Sequence, residues 1–98
     1  MCMAELYSKS QPTTSQILSD SSVRSVERAI EVLFSFTQQE PVLDIPALQQ
    51  RTGLSRPTLY RLLRTLETRG LIYSFGNPLR FQLGARTGLL ASTWTPAP

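Results

Sequence analysis

Five arginines stand between residues 51 and 69 against a single acid, Glu67. Arginine carries a fixed fork of donors that matches phosphate oxygens and the O6 and N7 edge of guanine better than the point charge of lysine does. Ser55, Thr58, Tyr60 and Thr65 add hydroxyls to the same stretch, and hydroxyls of this kind commonly bond sugar and phosphate. The chemistry on offer is recognition of a polyanion. Bond making is poorly supplied: the 98 residues contain no His, and the one Cys, Cys2, lies beside the start Met. Without them the chain lacks the commonest general base, the commonest metal ligand, a Cys-rich zinc site and any Ser-His or Cys-His dyad. No catalytic, metal or cofactor site is expected, and no small-molecule site.

Charge is segregated along the chain. Residues 1–50 carry three cations against six anions, a net of −3, whereas residues 51–98 carry seven arginines against Glu67, a net of +6. The longest apolar stretches are far below the ~20 residues that span a bilayer, and no basic-then-apolar leader opens the sequence. A cytoplasmic protein of one domain is expected.

The elements that must position the arginines follow from periodicity and punctuation. Residues 1–21 mix Ser, Thr and Gln with Pro12 and scattered apolar positions, a composition expected to form a flexible arm. From Val23, the residues Val26, Ala29, Ile30, Leu33 and Phe36 recur at helical spacing, with Val32 and Phe34 flanking, and predict a first helix to about Gln38. Ser22 or Ser25 is its N-cap. Pro41 ends that run, and Val42 and Leu43 predict a very short extended segment. Asp44 then offers an N-cap, with Pro46 close behind, for a second helix over Ile45 to Arg51. Gly53 closes it, and Ser55 caps a third helix two residues later.

The third helix carries the clearest stripe. Leu59, Leu62, Leu63 and Leu66 fall at i, i+3, i+4 and i+7, and the helix is expected to stop at Gly70. At 100° per residue this turns Pro57, Arg61, Arg64, Thr65 and Thr68 to the opposite side, with Arg56, Thr58 and Tyr60 flanking the exposed N-terminal end. After Gly70 the period becomes two. Leu71–Phe75 and Leu79–Leu83, separated by the Gly76-Asn77-Pro78 turn cluster, predict a β-hairpin with one buried face. Ala85 to about Trp94 predicts a last helix with Leu89, Leu90 and Trp94 as its apolar stripe, despite Gly88. The expected organisation is an arm over 1–21, a domain over 22–84 and the start of a linker helix and tail over 85–98.

Three helices and a hairpin, mainly α with a small β component, is the order of a winged helix-turn-helix domain. In that geometry the helix over 55–69 enters the major groove of double-stranded DNA, and the wing over 71–83 meets the adjacent backbone or minor groove. The expected DNA-binding residues are Ser55, Arg56, Pro57, Thr58, Tyr60, Arg61, Arg64 and Thr65, with Asn77 and Arg80 from the wing. Arg61 and Arg64 are placed for base edges, and Arg56 and Thr58 for phosphates or base edges. Arg51 and Arg69 stay open between phosphate contact and a structural role at a helix end. Trp94 reads as a packing or dimer-contact residue.

The runs Ser25-Val26-Glu27-Arg28-Ala29, Arg51 through Glu67, Gly70-Leu71-Ile72 and Phe81-Gln82-Leu83-Gly84 resemble the N-terminal domain of the IclR family of bacterial transcriptional regulators over about residues 23 to 90. The resemblance implies a winged helix-turn-helix that binds palindromic operator DNA as a dimer or dimer pair, usually with a larger effector-sensing domain following; a homodimer through the first and the C-terminal helices is expected here. A chain of this length leaves no room for that second domain, so either an isolated domain or a truncated regulator is expected. The sequence departs from the family at Gln49, where a small Ala is usual, and at Pro57, where a Ser is frequent. A second reading remains: a winged helix serving as a protein interaction module that pairs with a full-length relative.

Overall fold

The computed structural model describes residues 22–97, which form α1 (Arg24–Phe34), α2 (Ile45–Thr52), α3 (Arg56–Thr68), β1 (Ile72–Phe75), β2 (Arg80–Leu83) and α4 (Ala85–Ala91). The expected arm over 1–21, with Cys2, lies outside the described residues. Short polar side chains start the second and third helices as the sequence predicts. The Asp44 carboxylate accepts the Ala47 N–H at 3.0 Å, and the Ser55 hydroxyl accepts the Thr58 N–H at 3.4 Å. Between them Gly53, at φ 72°, takes the left-handed conformation that ends α2 and lets α3 begin three residues later. The α2–α3 corner is therefore fixed locally.

The first helix departs from expectation twice. Its N-cap is Val23, with no side-chain capping bond, rather than Ser22 or Ser25. It also ends at Phe34, not near Gln38, because hydrogen bonds there favour a tighter turn. Ser35 N and Phe36 N bond back three residues, to Val32 O and Leu33 O. The Thr37 hydroxyl accepts the Glu40 N–H at 3.0 Å while Thr37 N bonds Glu40 O, closing a turn just before Pro41.

Helices and hairpin close on one core. Val32, Leu48 and Leu59 are completely buried, joined by Phe36, Leu43, Ile45, Leu63, Leu66, Ile72 and Phe81. Val32, expected beside the stripe of the first helix, sits at its centre, whereas Val26 and Ile30 are 53% and 40% exposed. Apolar residues occur on almost every side of α1, so period alone does not select the buried face. Contact with α2 and α3 does. Leu62 is only half-buried, on the rim of the cluster formed by the other three leucines of its stripe.

The hairpin pairs antiparallel, with Ile72 opposite Leu83, Tyr73 opposite Gln82, Ser74 opposite Phe81 and Phe75 opposite Arg80. Leu79 belongs to the tip with Gly76, Asn77 and Pro78, so β2 begins one residue later than the alternation predicts. On the far side of β2, Leu43 and Phe81 exchange both backbone hydrogen bonds, at 2.9 and 2.8 Å. The short extended segment thus clips the hairpin to the helices.

At the base of the wing, α3 ends in a Schellman turn: Leu71 N bonds Leu66 O and Gly70 N bonds Glu67 O. The start of α4 is fastened to the same corner by Gly84 N to Leu71 O, Arg86 N to Gly70 O and Thr87 Oγ1 to Leu71 O. The α4 helix stops at Ala91, short of Trp94, where the Ser92 and Thr93 hydroxyls turn back onto Leu89 O and Leu90 O. No helix among the described residues is long and apolar enough to cross a membrane.

Candidate nucleic-acid interface

Burial of Leu59, Leu63 and Leu66 fixes the rotation of α3, and the opposite face presents Pro57, Arg61, Arg64 and Thr68, all exposed. Arg56 is exposed at the first turn, and Tyr60 is 39% exposed beside it. Among the described residues, Arg56, Arg61 and Arg64 have no ion-pair or hydrogen-bond partner on their side chains. Their guanidinium groups point out and are chemically unspent.

The hydroxyls of the site are more committed than the arginines. Ser55 Oγ, besides capping, donates to Thr58 Oγ1 at 2.9 Å. Thr65 Oγ1 donates to Arg61 O at 3.1 Å and Thr68 Oγ1 to Thr65 O at 2.7 Å. Each oxygen still has a lone pair to offer, but its proton is directed inward. The N-terminus of α3 is also a narrower anion site than a free helix end. Pro57 has no N–H and that of Thr58 faces Ser55, so the Arg56 N–H and the helix dipole remain.

Arg51 resolves to a structural role. Its Nη1 donates to Ser35 O at 2.7 Å, satisfying a carbonyl at the end of α1, and its Nη2 pairs with Glu40. Arg69 is the C-cap residue of α3. Gln49 is half-buried and does not prevent α2 from packing on α3.

On the wing, Asn77 is exposed at the tip. Arg80 lies with its guanidinium carbon 5.1 Å from the centre of the Phe75 ring, and Phe75 stacks on Tyr73 with ring centres 5.8 Å apart and planes at 17°. This ladder holds the wing cation in place through cation–π attraction. Sequence reasoning passed over Tyr73 and Phe75, although their i, i+2 spacing puts both on one strand face and the hairpin register puts Phe75 opposite Arg80. A shallow groove of about 620 Å³ runs between α1 and α3, with Val26, Ala29, Ile30 and Leu62 forming apolar walls and Arg28 and Arg61 in its lining. Arg28 is a second cation that the charge pattern did not single out.

A three-helix core with a two-stranded wing, and an outward basic face on the helix after the tight turn, defines a winged helix-turn-helix domain. Residues 25–74 match the IclR helix-turn-helix domain, and the chain belongs to the IclR family. It is similar to the HTH-type transcriptional regulator XynR of Escherichia coli (strain K12), 36% identical over 64 residues that make up 65% of this chain and 25% of XynR. Its fold resembles that of an IclR family transcriptional regulator from Brucella abortus, with TM-score 0.69 and 30% identity, covering 74% of this chain and 28% of that one. A second IclR-family structure, from Rhodococcus sp., gives TM-score 0.63 and 32% identity over 76% of this chain and 30% of that one. The chain thus spans about a quarter of the length of the curated relative it matches.

Proposed function

We propose that this chain binds double-stranded operator DNA in a sequence-specific way and so regulates transcription, with α3 in the major groove and the wing at the adjacent backbone or minor groove. The observation that carries the proposal is the outer face of α3, where Arg61 and Arg64 stand exposed and unpaired among the described residues, directly opposite a leucine face sealed in the core. Two arginines fixed in this way can each bridge guanine O6 and N7. Arg56 and Arg80 supply phosphate contacts, with Ser55, Thr58, Tyr60, Thr65 and Asn77 around them. Two copies associate through α1 and the C-terminal helix α4, where Val26, Ile30, Leu89 and Leu90 are exposed, with Trp94 exposed just beyond α4.

Alanine variants divide these roles. Arg61→Ala or Arg64→Ala relaxes preference at one base position, worth about 1–3 kcal/mol of discrimination, while Arg56→Ala weakens all duplexes alike and lowers the salt slope by about 1. Titrations on matched and mismatched duplexes read both effects. Equal binding by the Arg61 and Arg64 variants and the parent would remove the proposal.

The alternative, a module that pairs with a full-length relative, is favoured by one feature: Leu89, Leu90 and Trp94 are each more than half exposed on and just beyond α4. Sedimentation of the chain alone and mixed with such a relative decides it, because absence of association in both cases eliminates it.

A further inference from the structure

Glu67 is out of character with its surroundings. It is the only acid after residue 50 and shares α3 with Arg56, Arg61 and Arg64. By charge alone a carboxylate on a helix that faces phosphates works against binding, which directs attention to what Glu67 bonds within the fold. Its Oε2 accepts a hydrogen bond from Ser74 Oγ at 2.6 Å, a short, charge-assisted contact. Ser74 is the third residue of β1, two positions before Gly76 and the wing tip, and pairs across the hairpin with Phe81, which Leu43 clips on the other side.

The hydrogen bond therefore joins the last turn of α3 to the middle of the wing. Among the described residues, the other hydrogen-bonded tie between α3 and the hairpin is the Schellman turn at Gly70 and Leu71, at the hinge itself. Core packing of Ile72 and Phe81 and the Leu43 clip seat the middle of the hairpin, and the Glu67–Ser74 bond adds a polar tie from α3 to the strand that leads to the tip. We propose that Glu67, acting through Ser74, is the positioning residue that fixes where wing residues Asn77 and Arg80 stand relative to Arg61 and Arg64. The consequence for DNA rests on the function proposed above, whereas the tie itself belongs to the free protein.

The test compares the parent chain with S74A, E67A, the double variant E67A/S74A, and E67Q, whose amide oxygen still accepts the Ser74 hydroxyl. Backbone order parameters at Gly76 and Asn77 are measured in free protein, and hydroxyl-radical footprints on a duplex enriched by the parent chain. S74A and E67A are expected to lower order at the tip alike, toward about 0.6. Both erase the wing-side protection and raise Kd about fivefold while protection from α3 persists. The double variant is no worse than either single one, and E67Q keeps the tip order and the wing-side protection of the parent.

Unchanged tip order in S74A and E67A would overturn the proposal. So would tighter binding of every duplex by both E67A and E67Q with S74A unaffected, since Glu67 would then act by charge alone. If no duplex is protected by the parent while S74A and E67A still loosen the tip, the positioning role stands and the DNA-binding reading falls.

Discussion

Arg51 and Arg61 are ten residues apart and identical in side chain, yet their surroundings give them different work. The Arg51 guanidinium is spent on Ser35 O and Glu40, closing the end of α1 from sixteen residues away. Nothing in the local pattern announces this, because the acceptor is a main-chain carbonyl that becomes available only when α1 stops at Phe34. Arg61 and Arg64 were legible because their place opposite the leucine stripe follows from helix geometry alone. Arg51→Ala is expected to lower stability by about 1–2 kcal/mol, the scale of a charged hydrogen bond reduced by partial exposure. That corresponds to a fall in Tm of about 5–15 °C for a domain of this size. Thermal unfolding measures it, and DNA affinity well below the Tm stays within about twofold of the parent. A variant with parental Tm and a large loss of affinity would return Arg51 to the interface.

At the scale of elements, the helices with strong punctuation were readable and the one without it was not. Asp44, Gly53 and Ser55 bracket α2 and α3 through local hydrogen bonds, so their bounds shift by one residue at most from the sequence reading. In α1 no side-chain cap marks the start, and the apolar residues cover too many sides for period to choose between Val26 and Ile30 and the true core residue Val32. Packing made that choice. The wing aromatics belong to the same category: the stack of Tyr73, Phe75 and Arg80 depends on strand register, which tip length decides.

The α4 attachment carries a prediction of its own. A Cβ at Gly84 would fall 2.3 Å from Gly70 O, on backbone that is already engaged in the Schellman turn and in holding Arg86 N. Gly84→Ala therefore forces the wing base and α4 apart and costs about 2–3 kcal/mol. Chemical denaturation reads the cost, and a change below about 0.5 kcal/mol would mean that the corner moves freely.

Over the whole molecule the charge segregation of the sequence acquires a location. Every acid among residues 22–50 lies in α1 or in the segment before α2, and the cations after residue 51 lie on α3, its C-cap, the wing and, for Arg86, the start of α4. The molecule is thus expected to approach a polyanion with its C-terminal half leading, at a rate that falls with ionic strength. Exposed apolar residues on α1 and α4 accompany this basic surface, and the proposed pairing of two copies would use them to present two α3 helices together. The measurement that tests this most directly is selection of bound duplexes from a random pool by the 98-residue chain, followed by salt titration of the winners. The account predicts paired, inverted half-sites about 34 Å or a multiple apart. It also predicts a log-log salt slope near −7, for about four phosphates neutralised by each of two copies. A pool that emerges with no enriched sequence, bound no better than bulk duplex, would contradict it.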